Sequence, residues 1–304
     1  MALSKLGVIF ALLHAICFSV NGLFARWLTS DIEKHQIPPF RSIIQAASLW
    51  PLLYCIEGQA KVENQVLEIL NVKKLWITVL ARSVGGYISF LLYFMTLDYI
   101  TIGDATAIRA LSGPVTAVLA YFFLGEKINN RQKSLIFLGV LGMVFISRSK
   151  NDNLPGGSDL TKTLVGVGMG LVSVFFASLA MVAMRGMGKR VHYLIPSQVH
   201  AMVGVLFVIP SFLALRLIDK KFFNEMNILD FWYLLGISVA GTLAQVFKKL
   251  ALEYEKAAIA TIFFNTQVIF TYIWQWGLLD NVPSWEALVG ASLILSSAAL
   301  FKFT

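Results

Sequence analysis

Along the chain, long apolar runs alternate with short polar breaks. The runs predict spans near 6–27, 38–56, 75–97, 103–124, 132–148, 164–184, 195–215, 230–251, 257–279 and 285–302. Most approach the ~20 residues a helix needs to cross a hydrocarbon core about 30 Å thick. Strands of a transmembrane barrel would alternate apolar and polar residues over ~10-residue segments; these runs are continuous. The expected fold is an all-α polytopic membrane protein with ten transmembrane helices. Connections are short except near 57–74, 149–163 and 216–229, so no soluble domain fits between the spans.

Composition agrees. Of 304 residues, 57% are hydrophobic and 14% charged, and the mean hydropathy is +0.72. Soluble domains hold roughly 45–50% apolar and about 25% charged residues. Cys17 and Cys55 fall inside apolar runs and read as packing residues, not as a disulfide or metal site. The first run ends at Arg26 without a small-residue cleavage site, which suits a span better than a cleaved signal.

The net charge of +8 is carried largely by loops between spans, so it reports topology and not nucleic-acid binding. The side bearing Lys73, Lys74, Arg131, Lys133, Lys189 and Arg190 is the more basic, which places both termini in the cytoplasm. The cell (inner or plasma) membrane is the expected location, with a eukaryotic endomembrane as the alternative. No Walker loop, HExxH, GxSxG or CxxC occurs, and DNLPGGSD (152–159) is a turn-rich linker with no strand before it. An enzyme, a cofactor and a metal are therefore not expected. The expected partners are a small-molecule substrate and membrane lipid; nucleic acid is excluded and a homodimer is compatible.

The chain also resembles itself. LDYITIGDAT (97–106) lies over LEYEKAAIAT (252–261) at an offset of 155, and residues 7–26 lie over 166–185 at an offset of 159. The first offset matches Leu97/Leu252, Tyr99/Tyr254, Ala105/Ala260 and Thr106/Thr261; the second matches Gly7/Gly166, Leu12/Leu171, Ser19/Ser178 and Arg26/Arg185. These offsets divide the chain into a first five-helix repeat (1–150), a linker (151–162) and a second five-helix repeat (163–304). An odd number of spans per half inverts the second copy in the membrane. Inverted repeats characterise alternating-access transporters, whose substrate site lies at mid-membrane between the halves.

Segment 93–147, with Gly103, Ala105 and Ala107, mid-span Pro114, Leu124–Gly125–Glu126, and Gly139 and Gly142 in the next span, resembles the repeat of the EamA-type drug/metabolite transporter superfamily. Arg41 in PPFRSIIQAA matches an arginine that opens the second span of that repeat. The second copy departs from the pattern: Gln267 and Val268 stand where a proline is expected, and Asp280–Asn281 replaces Gly–Glu. Segments 182–194 and 280–295 are similar to the solute carrier 35 subfamily G branch. The resemblance implies a ten-helix inverted-repeat bundle around a central cavity. It does not choose among amino acids, nucleotide sugars, organic acids and cofactors as cargo.

Charge inside the spans supplies the candidate chemistry. An arginine at mid-bilayer costs at least ~2.5–3.5 kcal/mol on insertion scales, so it faces a partner or water. Arg82 lies about eight residues into its span, or roughly 12 Å at 1.5 Å per residue. Arg109 enters from the opposite side, with Asp98 and Asp104 as alternative structural partners. Arg41 sits at a span mouth where it could snorkel. Lys248 and Lys249 are read as interfacial anchors, with one of them able to turn inward. Asn21, Tyr87, Gln245, Asn265 and Gln267 complete the substrate-binding candidates, each equally suited to joining helices. His14 is a candidate proton site.

Pro114 removes a backbone hydrogen bond that Ser112 and Thr116 can offset, and Gly113 is expected to admit a neighbouring backbone. Gly85–Gly86, Gly166–Gly168–Gly170, Gly236 and Gly241 are expected to allow close helix packing. Arginine's fork suits carboxylate or phosphate, so the sequence points to a secondary carrier or exchanger of a small polar anion. The alternatives are a carrier of zwitterions such as amino acids, a channel, or a non-transporting subunit that kept the fold.

Overall fold

A computed structural model describes residues 5–28, 36–124, 129–148, 160–187, 191, 194–208, 210, 227–254, 260 and 263–300. Gly125 and Glu126, the linker 152–159, Lys189 and Arg190, and the end of the seventh predicted span lie outside the described residues.

The described elements are all helical: α1 Lys5–Trp27, α2 Ile37–Glu57, α3 Gln59–Asn71, α4 Lys73–Thr96, α5 Ile102–Arg109, α6 Ser112–Leu124, α7 Asn130–Ser147, α8 Leu160–Met187, α9 Leu194–Leu206, α10 Ile228–Tyr254, α11 Gln267–Leu278 and α12 Trp285–Leu300. Among the described residues, four helices are long and apolar enough to span a membrane: Lys5–Trp27, Lys73–Thr96, Leu160–Ala183 and Ile228–Lys248. Shorter apolar helices occupy Lys133–Ile146, Ile195–Leu206 and Trp285–Ser297.

Local chemistry sets several boundaries. Prolines occupy the first turn of α2, where a missing N–H costs nothing. Gly58, at φ +80°, ends α2 and starts α3; an L side chain would be strained there. Thr101 caps α5 by accepting the Asp104 N–H at 3.1 Å. The longer connection expected at 57–74 is mostly helix. In α3, Val62 and Ile69 are buried against Leu49, Leu53, Leu75 and Val79, while Leu67 and Leu70 remain exposed.

The fourth predicted span is two helices, α5 and α6, broken at Ala110–Leu111. Pro114 cannot donate to the Ala110 carbonyl four residues back, and its ring crowds that turn. The Ser112 carbonyl is held by Thr116 Oγ1 at 2.6 Å and Ser178 Oγ at 3.1 Å. A second break falls at Thr266, between 263–265 and α11, without a proline. Its hydroxyl donates to the Phe263 carbonyl at 2.6 Å instead.

α1 packs on α10, α4 on α8, α7 on α12 and α2 on α9, with further contacts of α4 with α9, α2 with α10, α6 with α8 and α1 with α11. Some glycines make these approaches close. A Cβ on Gly142 would lie 2.7 Å from the Gly290 carbonyl, and one on Gly290 would lie 2.6 Å from that of Gly142. Gly85 lies close to the Phe176 carbonyl, 3.4 Å from its would-be Cβ. Two expectations fail: Gly113 and Gly168 have nothing within 4 Å of such a Cβ, so neither serves a close contact. Large apolar side chains such as Phe122, Phe137, Trp276 and Trp285 face outward, as helices solvated by lipid require.

Candidate functional site: a buried cationic layer

Four cations from four helices converge inside the bundle. Arg41 (α2) is buried, and its guanidinium carbon lies 4.1 Å from the Phe90 ring centroid. It does not snorkel. Gly241 on α10 makes the room: a Cβ there would overlap Arg41 Nε and stand 2.7 Å from its Cζ. Arg82 (α4) lies along its own helix over Gly86, where a Cβ would stand 2.5 Å from Nη1 and 3.2 Å from His200 Nδ1.

Arg109 closes α5 and sits between two rings, 5.2 Å from the centroids of both Phe18 and Tyr93. From Thr101 to Leu111 every residue is buried except Arg109, which is half-buried. Lys248 (α10) is half-buried and places Nζ 5.8 Å from the Phe264 centroid. It therefore faces inward instead of anchoring at the interface.

These groups share one electrostatic neighbourhood. Lys248 lies in the fields of Arg82 and Arg109, and Arg41 in that of Arg109. His200 feels Arg82, Arg41 and Arg109; His14 feels Lys248 and Arg109. No carboxylate among the described residues acts on any of the four cations. Arg41 Nε, Arg82 Nε and Arg109 Nη1 are buried without a hydrogen-bond partner. Aromatic faces attract cations by about 0.5–2 kcal/mol each, which does not satisfy an N–H.

Asp104 instead accepts the Tyr272 hydroxyl at 2.9 Å, and Arg26 takes the field of Asp98. The proposed Arg109–acid pairs are absent among the described residues.

The remaining candidates divide. Tyr87 is buried beside His200, its ring stacked 5.0 Å from Phe207 and its hydroxyl unpartnered. Asn21 lies one turn beyond Phe18 on the inner face of α1, with Oδ1 unpartnered. Gln245 is half-buried three residues before Lys248. Asn265 and Gln267 are buried on either side of the Thr266 break. His14 donates Nδ1–H to the Ala244 carbonyl at 2.7 Å and packs edge-on to Phe264, 4.6 Å between centroids.

Sequence reasoning missed His200, a lone titratable side chain in the apolar run IPSQVHAMVGV, and the ring platforms of Phe18, Phe90, Tyr93 and Phe264. The isolation of His200 was the available signal. Rings in an oily chain carried none.

The molecule is thus an all-helical integral membrane protein with a buried basic layer. Residues 5–148 and 164–303 each match the model of the EamA-like transporter family, and the chain belongs to that family, within the drug/metabolite transporter superfamily. It is similar to human solute carrier family 35 member G1, 26% identical across 96% of this chain and 77% of that protein. The pseudopaline exporter CntI of Pseudomonas aeruginosa is 27% identical across 96% of this chain and 94% of its own length. An uncharacterised transporter of Helicobacter pylori is 26% identical across 97% and 93%. A solved crystal structure aligns with a TM-score of 0.60 at 14% identity, covering 98% of this chain and 95% of the other, a likeness of fold.

Proposed function

We propose that the protein moves a small polar anion across its membrane by alternating access, as an exchanger or uniporter, and that the layer of Arg41, Arg82, Arg109 and Lys248 receives it. One observation carries this reading: buried guanidinium nitrogens on three helices lack partners, and no carboxylate among the described residues acts on them. Buried polar N–H groups are nearly always satisfied, and a buried charge needs a counter-charge. A carboxylate or phosphate supplies both, through bidentate contacts with arginine. Asn21, Tyr87, Gln245, Asn265 and Gln267 are proposed to line the same path.

The inverted five-helix repeat is the proposed machinery. Exchanging α1 with α8, α2 with α9, α4 with α10, α6 with α11 and α7 with α12 carries the eight helix pairings named above onto one another, whereas the contacts of α3 and α5 have no counterpart among the described residues. Such a pseudo-twofold permits two equivalent, oppositely facing states. A silent structural subunit would pair its arginines internally, and the unpartnered nitrogens disfavour that.

The test is uptake by proteoliposomes of labelled organic acids, phosphorylated metabolites and amino acids. Arg82→Ala and Arg109→Ala should each abolish most uptake of the anion carried. If both variants transported every such anion at the unsubstituted rate, the assignment would fall.

A further inference from the structure

The cationic layer is rich in donors, and arginine and lysine have no lone pair to offer. Two amide oxygens in the bundle are nonetheless left without a donor: Asn21 Oδ1, on the face of α1 that carries His14 and Phe18, and Gln198 Oε1, where α9 meets α2, are buried and unpartnered. Their orientation follows from the other half of each amide. Asn21 Nδ2 donates to the Cys17 carbonyl at 3.0 Å, and Gln198 Nε2 donates to the Ala46 carbonyl at 3.1 Å. A flip would set oxygen against oxygen.

Asn21 follows His14 and Phe18 at helical spacing on α1, and the Phe18 ring meets Arg109. Gln198 meets α2 at Ala46, on a different face of α9 from His200, so Asn21 is the amide that stands on the layer's side.

The two histidines add acceptors of the same kind. His200 Nδ1 meets the Ser83 carbonyl at 3.1 Å and His14 Nδ1 meets that of Ala244 at 2.7 Å. A carbonyl fixes the proton on Nδ1, which leaves Nε2 of the neutral ring as an acceptor. The layer therefore offers charged donors to acid groups and neutral acceptors to uncharged donors. Among the described residues it offers no carboxylate to an ammonium.

We infer that the substrate bears hydroxyl groups beside its acid groups, and that the layer selects hydroxy acids over the matching amino acids. This rests on the anion reading above. A hydroxyl satisfies an amide oxygen or a histidine nitrogen at no charge cost. An ammonium at the same place meets four positive charges at close range. A bare hydrogen leaves the acceptors unpaired, the situation that lets polar sites reject analogues lacking a hydroxyl.

The experiment uses the purified full chain and calorimetric titration with sets matched in skeleton. These are malate, aspartate and succinate; lactate, alanine and propionate; and glucose 6-phosphate, glucosamine 6-phosphate and 2-deoxyglucose 6-phosphate. In every set that binds, the hydroxyl member is expected to bind tightest and the amine weakest, about tenfold or more apart.

His200→Asp, or Lys248→Gln should that variant fail to fold, is expected to narrow the gap to the amine several-fold. Asn21→Leu, or Asn21→Ala should that variant fail to fold, is expected to bring the hydroxyl member towards the unsubstituted acid. An amine that binds as tightly as its hydroxyl partner in any binding set overturns the inference, as does an unsubstituted acid that matches it in all of them. If no acid of any set binds, the anion reading itself fails and takes this inference with it. If acids bind without hydroxyl preference, the anion reading stands alone.

Discussion

Arg109 and Tyr93 form a cation–ring pair, 5.2 Å from guanidinium carbon to centroid, that recurs in the other half with its partners exchanged. The offset of 155 carries Tyr93 onto Lys248 and Arg109 onto Phe264. That second pair also meets cation over ring, at 5.8 Å. Each half therefore contributes one cation and one aromatic face at corresponding places, in opposite order. Tyr93→Leu and Phe264→Leu, which leave the charges in place, are expected to lower uptake about tenfold or less. Arg109→Ala and Lys248→Ala are expected to lower it about 10–100-fold, the range of a charge-assisted hydrogen bond worth ~1.5–3 kcal/mol. Initial rates in proteoliposomes compare the two classes.

Glycines of two kinds should separate by readout. At Gly86 an added methyl meets Arg82 Nη1, the far end of a flexible side chain, and His200. Gly86→Ala should therefore fold normally and lose uptake, because the guanidinium must leave its place. At Gly142 the added methyl meets the Gly290 carbonyl at 2.7 Å and Ile294 Cγ1 at 2.7 Å, and the α7–α12 backbones must part. Gly142→Ala should cost about 1–3 kcal/mol of stability and lower the unfolding temperature. A Gly86→Ala protein with full uptake, or a Gly142→Ala protein with an unchanged unfolding temperature, would contradict these assignments.

Four spans were legible in the sequence because lipid demands continuous apolar helices: the predicted runs 6–27, 75–97, 164–184 and 230–251 start and end within a few residues of Lys5–Trp27, Lys73–Thr96, Leu160–Ala183 and Ile228–Lys248. Arg82 and Arg109 were legible for a related reason: depth in an oily run makes charge conspicuous. Arg41 was misread because a charge four residues inside a helix reaches either the surface or the core, and sequence does not say which. Its direction is set by Gly241 and Phe90, on helices remote in the chain. The Pro114 break was foreseeable from the missing N–H, whereas the Thr266 break has no residue that announces it.

That contrast gives a third expectation. The Thr266 break forms without proline, so neighbouring helices can hold such a break, and the Ser112 carbonyl already has two hydroxyl donors. Pro114→Ala should therefore keep the break and most of the uptake, within about threefold. Thr116→Val together with Ser178→Ala removes both hydroxyl donors, leaves the Ser112 carbonyl only its helical N–H, and should cost about 0.5–1.5 kcal/mol for each hydrogen bond lost. Thermal unfolding and uptake of the two proteins decide it. A larger loss in Pro114→Ala would show that proline, not its surroundings, maintains the bend.

At the start of α5 the two halves are joined by polar contacts. The Tyr272 hydroxyl donates to Asp104 at 2.9 Å, Gln275 Oε1 accepts the Gly103 N–H at 3.1 Å, and Tyr272 lies so close over Gly103 that no Cβ would fit. In the alternating-access cycle proposed above, one end opens and then the other, and these contacts between α5 and α11 would be the ones that close this end. Tyr272→Phe leaves the Asp104 carboxylate short of a donor in a buried place, which costs about 1–3 kcal/mol for this state. The expected outcome is a shift of population towards opening at the α5 end, about tenfold or more at 1.4 kcal/mol per decade. Gln275→Leu should act in the same direction. Spin labels on Asp98 and Asp280, both exposed, would report a longer distance in either variant. Unchanged distance distributions in both would mean that apolar packing of α5 on α11, not these hydrogen bonds, keeps that end closed.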